Sequence, residues 1–354
     1  MALRHIDSWD HYATANRAAK GWTFTYAGAS PGDEGCTIGA YGRNSTNGLR
    51  GRNGAVSGKS SRATLGVSNT SGATAIMGFA FRIDAGVPAA DFCVCQVFRG
   101  STELISVTCS ATGTLSVRRG DREATILSTS VSTITHSTFY FIELKVTLHD
   151  STGVYDLKVN GTTYTSGSGV DTLVSGAATW DGIGLGGTNI GQNYSIDFDD
   201  LYVADGSGGV EDDFLGDHRI VCVVASSGNG GNTDWSPSTG SDHGALVDEN
   251  PPNESDYNQS GTAGQRDTYN FAAVGVSGTV KALQTLRYIK AEAAGVRSVA
   301  PVIRISSTNY DGTTQALGSD WTYHREIYRQ NPATTAAWTI SGIDGAEFGA
   351  KVTA

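Results

Sequence analysis

The stretch from Phe139 to Tyr164, FYFIELKVTLHDSTGVYDLKVNGTTY, decides the fold class of this chain. Apolar and polar residues alternate in it, so each strand can turn one face to a core and the other to water. The alternating apolar residues are Tyr140, Ile142, Leu144, Val146 and Leu148, then Tyr155, Leu157 and Val159; Glu143, Lys145 and Thr147 occupy the opposite face. Asn160-Gly161 predicts a tight hairpin, because both turn residues must accept positive φ. Antiparallel strands joined by tight turns predict a β-sandwich.

Length and composition extend this prediction to the whole chain. The 354 residues are enough for two domains of about 100–200 residues each. The 46 glycines lie between apolar runs, which is typical of many short strands, and 39% hydrophobic residues argue against disorder. The net charge of −10 argues against nucleic acid as a partner, because the phosphate backbone recruits basic surfaces.

A glycine-rich run from Asp205 to Gly209 separates two sets of predicted strands and has the composition of a short linker. We therefore predict a first β domain over residues 1–206, a linker over 207–210 and a smaller β-sandwich over 211–354. Ala75–Ile83 is apolar on nearly both faces, which predicts a central strand. The second half is predicted to contain strands at Arg219–Ala225, Thr279–Ala291, Val299–Ser306 and Trp321–Arg329, and one helical turn within residues 333–354.

The N-terminal sequence, MALRHIDSWDHY, has no apolar core of signal-peptide length, and no run is long enough for a membrane span. We expect synthesis in a cytoplasm and no membrane contact. Five cysteines occur without a Cys-x-x-Cys pair, so neither a zinc knuckle nor a disulfide framework is indicated. A hairpin around Arg99 would place Cys109 near Cys93 or Cys95, where reduced, buried thiols are favoured over a disulfide.

Two segments of the first half resemble the concanavalin A-like, laminin G-like jelly roll: the strand before Asn160-Gly161, and Tyr194–Asp205 (YSIDFDDLYVAD). The opening His5–Tyr12 (HIDSWDHY) is similar to the first strand of such domains in structural proteins of tailed phages. The second half resembles a C-terminal module that follows this jelly roll in phage proteins. The segments that carry this second resemblance are Asp212–Ile220, Asn309–Thr339 and Asp344–Val352. The resemblance implies a virion protein and brings no catalytic residues with it.

No catalytic, cofactor-binding or metal-binding residue is predicted. The Glu-x-Asp-x-x-Glu motif of glycan hydrolases with this fold is absent, and the nearest approach is Asp197 and Asp199 with Asp200 beside them. Asp199 and Asp200, with Asp33 and Glu34, could supply oxygens to calcium, but a structural role is favoured. The histidines lack metal-ligand spacing, and the run Gly182–Gly187 is interpreted as strand and turn, not as a phosphate cradle.

The leading hypothesis is a non-enzymatic virion protein of a tailed phage, in a tail or neck fibre or decorating the capsid. Its expected partners are other virion proteins and a host-surface glycan, in a homo-oligomer for which virion symmetry suggests a trimer. The alternatives are a glycan-binding lectin and a polysaccharide-cleaving enzyme. Loop aromatics can stack on sugars, and Trp235, Tyr257 and Tyr310 are the candidates, although a loop tryptophan is more often packed into its own domain.

Overall fold

The structure is a computed structural model, and its two parts are each organised around β-sheets. It describes residues 2–26, 35–53, 57–68, 70–86, 90–190, 194–292 and 297–354. The chain forms two compact units, Met1–Ile220 and Val221–Ala354. Strands dominate both, and the one α-helix of the described residues has five residues. The predicted all-β fold class is therefore confirmed.

The first unit has fifteen strands in its described part. They are β1 (Leu3–Asp7), β2 (Trp22–Tyr26), β3 (Gly35–Gly39), β4 (Gly48–Asn53), β5 (Ser57–Gly66), β6 (Thr74–Ala85), β7 (Phe92–Arg99), β8 (Thr102–Cys109), β9 (Thr114–Arg119), β10 (Thr125–Thr133), β11 (Tyr140–Thr147), β12 (Gly153–Val159), β13 (Thr162–Val170), β14 (Gly182–Ile190) and β15 (Tyr194–Ala204). Short 3₁₀ helices lie at Thr14–Asn16 and Arg43–Ser45.

These strands form two antiparallel sheets. The order in the first sheet is β13-β12-β11-β6-β15-β4-β3, with β1 also paired to β15, and the order in the second sheet is β10-β9-β8-β7-β14-β5-β2. Strand β6 lies between β11 and β15, which confirms that Ala75–Ile83 forms a central strand. Large side chains between the sheets are fully buried, among them Phe79, Phe81, Phe198 and Leu185. Burial of each such side chain contributes roughly 1.5–3 kcal/mol.

The hairpin between β12 and β13 forms as its sequence predicts. Asn160 has φ 49° and Gly161 has φ 77°, so both turn residues adopt the positive φ that a two-residue hairpin needs. The predicted apolar face is buried from Ile142 to Leu148. The opposite face departs from the expected wet surface, because Glu143 is only 1% exposed. Residues 211–220 cover it, as described below.

The cysteines of the second sheet are buried thiols without a disulfide. The backbone register pairs Cys93 with Thr108 and Cys109 with Phe92, so no two cysteines stand directly opposite each other. Burial raises the pKa of the Cys109 thiol to about 12. These cysteines therefore behave as small apolar side chains of the sheet.

The second unit is built from shorter strands. They are β16 (Ser236–Pro237), β17 (Asn258–Gln259), β18 (Arg266–Tyr269), β19 (Leu283–Ile289), β20 (Ser298–Ile305), β21 (Thr308–Asp311), β22 (Gln315–Ala316), β23 (Thr322–Tyr328) and β24 (Ala346–Val352), with helix α1 (Ile340–Asp344) and a 3₁₀ turn at Gly244–Leu246. The predicted helical turn is α1. No helix of the described residues is long and apolar enough to cross a membrane.

A five-stranded sheet and a two-stranded ribbon enclose the core of this unit. Strands β18, β24, β20, β21 and β22 form the sheet, and β19 pairs with β23 in the ribbon. Leu283 and Tyr328 of the ribbon pack against a buried cluster that includes Ile303, Trp338 and Phe348. The second unit is thus a small layered β-structure with its own core.

Two expectations about the chain's middle differ from the structure. The predicted strand at Arg219–Ala225 is wrong, because the only ladder contact described there is an isolated bridge between Ala225 and Phe271. The expected linker lay at residues 207–210, whereas the two compact units meet between Ile220 and Val221. Residues 211–220 belong with the first unit because Leu215, Gly216 and Ile220 donate backbone hydrogen bonds to the first sheet.

Candidate functional site

Strand β14 carries glycines on the outer face of the second sheet, and side chains of β7 fill the space above Gly184. Ile183 and Leu185 point into the core, so the alternate residues Gly182 and Gly184 lie on the outer face. A Cβ on Gly184 would lie 2.3 Å from Oε1 of Gln96 and 2.7 Å from the Phe98 ring. Glycine is therefore required at this position for the two side chains of β7 to lie across β14.

Polar side chains cross the sheet at this level. The backbone register aligns Thr64, Gly184, Gln96, Ser106 and Arg118 on five adjacent strands, and we call this set the polar row. Neighbouring strands are about 4.8 Å apart, so the polar row is roughly 20 Å long. Gln96, Ser106 and Arg118 are only 1%, 0% and 8% exposed, although they lie on the face opposite the core.

Two atoms of the polar row have no hydrogen-bond partner in the part of the chain that the structure describes. The Gln96 amide nitrogen donates to the carbonyl of Gly186 at 2.7 Å. Its oxygen Oε1 and the hydroxyl of Ser106 have no such partner among the described residues. An unpaired buried polar group costs about 1–3 kcal/mol. A ligand that reached this buried pair of atoms would have to both donate and accept hydrogen bonds.

Arg118 ends the polar row on β9 and is already paired. Its Nε donates to Thr108 Oγ1 at 3.0 Å, and its Nη2 donates to Asp91 at 2.7 Å. The Asp91 carboxylate balances the guanidinium charge. Arg118 is thus held in place and contributes directed N–H groups in a site that is close to neutral.

The other end of the site carries a half-buried ion pair. Arg62 Nη1 donates to Glu103 Oε1 at 2.5 Å, and the side chains are 26% and 22% exposed. The Arg62 guanidinium lies 5.1 Å from the centre of the Phe98 ring. Burial raises the pKa of Glu103, while Arg62 acts in the opposite direction. Glu103 therefore holds a proton more readily than an ordinary glutamate.

The aspartates that the sequence singled out lie on the first sheet. Asp197 is fully buried and accepts hydrogen bonds from Arg50 and Arg82, each at 2.6 Å. Two guanidinium groups neutralise it, so it is not placed to touch a substrate. Its role is to tie β15 to β4 and β6.

Asp199 and Asp200 also have structural partners. Asp199 accepts from the backbone N–H of Arg43 at 2.9 Å, and Asp200 accepts from that of Ile220 at 2.6 Å. Asp200 is also paired with the Arg43 side chain. Burial, and next the charge of Asp200, raise the pKa of Asp199 to about 8. The two aspartates fix the loop before β4 and the segment 211–220 on the first sheet.

The described residues do not bring a set of calcium ligands together. Asp33 and Glu34 lie outside the described residues. Among the residues that are described, no group of three or more His, Cys, Asp or Glu side chains could hold a metal ion. The run Gly182–Gly187 lies within strand β14, which confirms its interpretation as strand.

The three loop aromatics have different surroundings. Trp235 is 8% exposed and packs with Ala350 and Val352, so it belongs to the core of the second unit. Tyr310 lies in β21, opposite Ile303 of β20. Tyr257 approaches Trp321 edge-on, with 6.4 Å between ring centres. Trp235 is therefore unavailable for stacking on a ligand.

Sequence reasoning missed the residues of the polar row. The available signal was Gln96, the one amide inside the apolar run DFCVCQVF, together with the glycine alternation GIGLGG of β14. Ser106 and Arg118 gave no separate signal, because only the strand register aligns them with Gln96.

No family model matches this chain, and no curated protein matches it. Several solved structures are similar to it. The endo-β-1,4-glucuronan lyase from the fungus Trichoderma reesei is 13% identical, with 57% of this chain and 93% of that chain covered and a TM-score of 0.39. An alginate lyase mutant in complex with alginate tetrasaccharide is 13% identical, with coverage of 56% and 95% and a TM-score of 0.41. The metal-free Emp46p carbohydrate recognition domain is 9% identical, with coverage of 57% and 96% and a TM-score of 0.38.

These comparisons correct the expectation of a non-enzymatic protein. The similar structures include a glucuronan lyase and an alginate lyase, and this finding stands against that expectation. The prediction that the chain is not an enzyme is therefore wrong. The ligand and reaction of each of these proteins are properties of that protein. The comparison shows only that this chain has a similar β-sandwich fold.

Proposed function

We propose that the protein binds a saccharide along the polar row of the second sheet. The observation that carries this proposal is the pair of buried, unpartnered atoms, Gln96 Oε1 and Ser106 Oγ, at the centre of an aligned polar face. A sugar hydroxyl can donate to the amide oxygen and accept from the serine. Phe98 lies beside these atoms, beneath the Arg62 guanidinium, so a sugar ring would pack at the edge of this covered aromatic side chain.

The charge balance favours a saccharide over a phosphate ligand. Both arginines of the site already face a carboxylate, Arg62 with Glu103 and Arg118 with Asp91. A phosphate site needs uncompensated positive charge or a cluster of backbone N–H groups. A purely apolar ligand would leave Gln96 Oε1 and Ser106 Oγ unpaired at a cost of about 1–3 kcal/mol. A hydroxyl-rich ligand fits both conditions.

A glycan array followed by calorimetric titration of the best ligand tests this proposal. Gln96→Leu keeps the size of the side chain but removes the amide, and we expect affinity to fall by about tenfold or more. Gln259→Leu makes the same change at an exposed position in the second unit and should leave affinity unchanged. Equal affinities for folded Gln96→Leu and wild-type protein would contradict a saccharide site on the polar row.

Glycan cleavage is the second candidate function, and Glu103 is the observation that favours it. Its raised pKa suits a group that donates or accepts a proton, and it lies half-buried beside Arg62. If the bound polysaccharide is cleaved, Glu103→Gln should lower turnover by roughly 100-fold or more. Saccharide affinity should then change only a few-fold. Turnover that is unaffected by Glu103→Gln would remove this assignment.

The virion setting stays a prediction from sequence resemblance, and we propose it as the place where the protein meets its saccharide. A host-surface glycan would be the ligand, and other virion subunits would be the partners, in a homo-oligomer. Mass spectrometry of purified phage particles tests the setting. Absence of the chain from particles made in cells that express it would contradict it, without affecting the saccharide site.

A further inference from the structure

The ribbon of the second unit presents one face to the core and one face outward. Thr285 and Arg287 of β19 are buried, 8% and 9% exposed, and Leu283 packs against the core cluster. Side chains alternate along a strand, so Tyr288 lies on the other face. The register pairs Tyr288 with Tyr323 of β23, which places both tyrosines on the outward face.

Four rings meet on this face, and we call them the aromatic cluster: Tyr257, Tyr288, Trp321 and Tyr323. Tyr288 stacks on Trp321 with 5.3 Å between ring centres and an angle of 19°. Tyr323 lies 4.7 Å from Tyr288, and Tyr257 meets Trp321 edge-on. All four side chains are half-buried, so the rings keep part of their surface at the exterior of the unit.

Charged groups fix the aromatic cluster and border it. The hydroxyl of Tyr288 donates to Glu254 Oε1 at 2.7 Å, and Glu254 is exposed. The ammonium of Lys290 lies 5.0 Å from the centre of the Trp321 ring. Rings that are held by one another and by a hydrogen bond lose little conformational entropy on binding. The arrangement is therefore a preorganised apolar surface with polar groups at its edge.

We propose that the aromatic cluster is a second saccharide-binding site, which takes a neutral or acidic pyranose. The C–H face of the sugar packs on the ring surface of Trp321 and its neighbours, and its hydroxyls reach Lys290 and Glu254. Lys290 already supplies the cation over Trp321, which disfavours a cationic ligand. The cluster lies in the second unit and shares no residue with the polar row, so this proposal is separate from the proposed function.

The test uses the full chain with Gln96→Leu, so that binding at the polar row is weakened in every sample. Cellohexaose and hexagalacturonate serve as the neutral and acidic probes in calorimetric titrations. We expect at least one probe to bind, and Trp321→Ala to lower that affinity by about tenfold or more. Trp321→Phe keeps an aromatic ring should the alanine variant fail to fold, and we expect a smaller loss. Tyr310→Ala, a half-buried tyrosine outside the cluster, should have no effect.

Several outcomes would overturn this second site. One is no binding of either probe by the Gln96→Leu protein. Another is binding that folded Trp321→Ala or Trp321→Phe leaves unchanged. A third is a change in oligomeric state on Trp321→Ala without a change in affinity, which would assign the cluster to a protein contact. None of these outcomes affects the polar row, which the single variant Gln96→Leu tests against wild type.

Discussion

The outer faces of the two sheets of the first unit carry polar groups that are equally buried but differ in their hydrogen bonds. On the first sheet, Asp197 and Glu143 are 0% and 1% exposed; on the second, Ser106 and Gln96 are 0% and 1% exposed. Asp197 is held by two arginines, and Glu143 accepts from the hydroxyl of Tyr202 at 2.7 Å and from Gly216 N at 2.8 Å.

The second sheet lacks such partners among the described residues for Gln96 Oε1 and Ser106 Oγ. Asp197 and Glu143 are thus satisfied from within the chain, by two arginines, by Tyr202 and by the segment 211–220. Burial of a polar group alone therefore does not mark a site, and the hydrogen bonds of each group have to be compared.

The largest effect on stability is expected when an ion-pair partner is removed from the first sheet. Asp197→Ala removes the buried carboxylate that Arg50 and Arg82 share and leaves them Asp84, which is 28% exposed. Removal of one partner from a buried ion pair costs about 3–5 kcal/mol. We expect the free energy of unfolding, measured by urea denaturation, to fall by about that amount. Asp156→Ala, a carboxylate 28% exposed and 4.0 Å from Lys158, serves as the control with a change below about 1 kcal/mol. A similarly small effect for Asp197→Ala would mean that the first sheet is not closed by these pairs.

The pH dependence of unfolding tests the environment of Asp199 on the first sheet. Burial and the charge of Asp200 raise the pKa of Asp199 to about 8, above its ordinary value. The folded state thus binds this proton more tightly than the unfolded state, so the contribution is full below about pH 4 and is lost as pH rises towards 8. We expect Asp199→Asn to gain stability relative to wild type between pH 5 and pH 8, by on the order of 4 kcal/mol. A constant difference over that range would contradict the assigned shift.

The smallest expected effect belongs to the second sheet. Ser106→Ala removes a hydroxyl that has no described partner, so the free energy of unfolding should change by less than about 0.5 kcal/mol or rise slightly. Saccharide affinity should fall several-fold in the same variant, because the proposed ligand forms a hydrogen bond with this hydroxyl. Thermal unfolding and calorimetric titration of the same sample measure the change in stability and the change in affinity. A loss of more than about 1 kcal/mol in stability would show that the hydroxyl is bonded within the protein.

The sequence predicts the local structure well and the site poorly, for a physical reason. Two-residue alternation and Asn160-Gly161 depend only on neighbours in the chain, and the hairpin formed as expected. The meeting of Asp197 with Arg50 depends on pairing between strands that are 147 positions apart. The polar row likewise exists only once five strands are in register. The wrong strand at Arg219–Ala225 has the same origin, because its apolar residues cover the first sheet or lie at the unit boundary instead of pairing.

A crystal structure of the protein with the best oligosaccharide from the glycan array tests the central claim most directly. We expect a sugar on the outer face of the second sheet beside Gln96, with one hydroxyl within about 3.2 Å of Gln96 Oε1 and another within that distance of Ser106 Oγ. A sugar bound on the first sheet instead, or both atoms bonded to protein groups while the sugar lies elsewhere, would contradict the account.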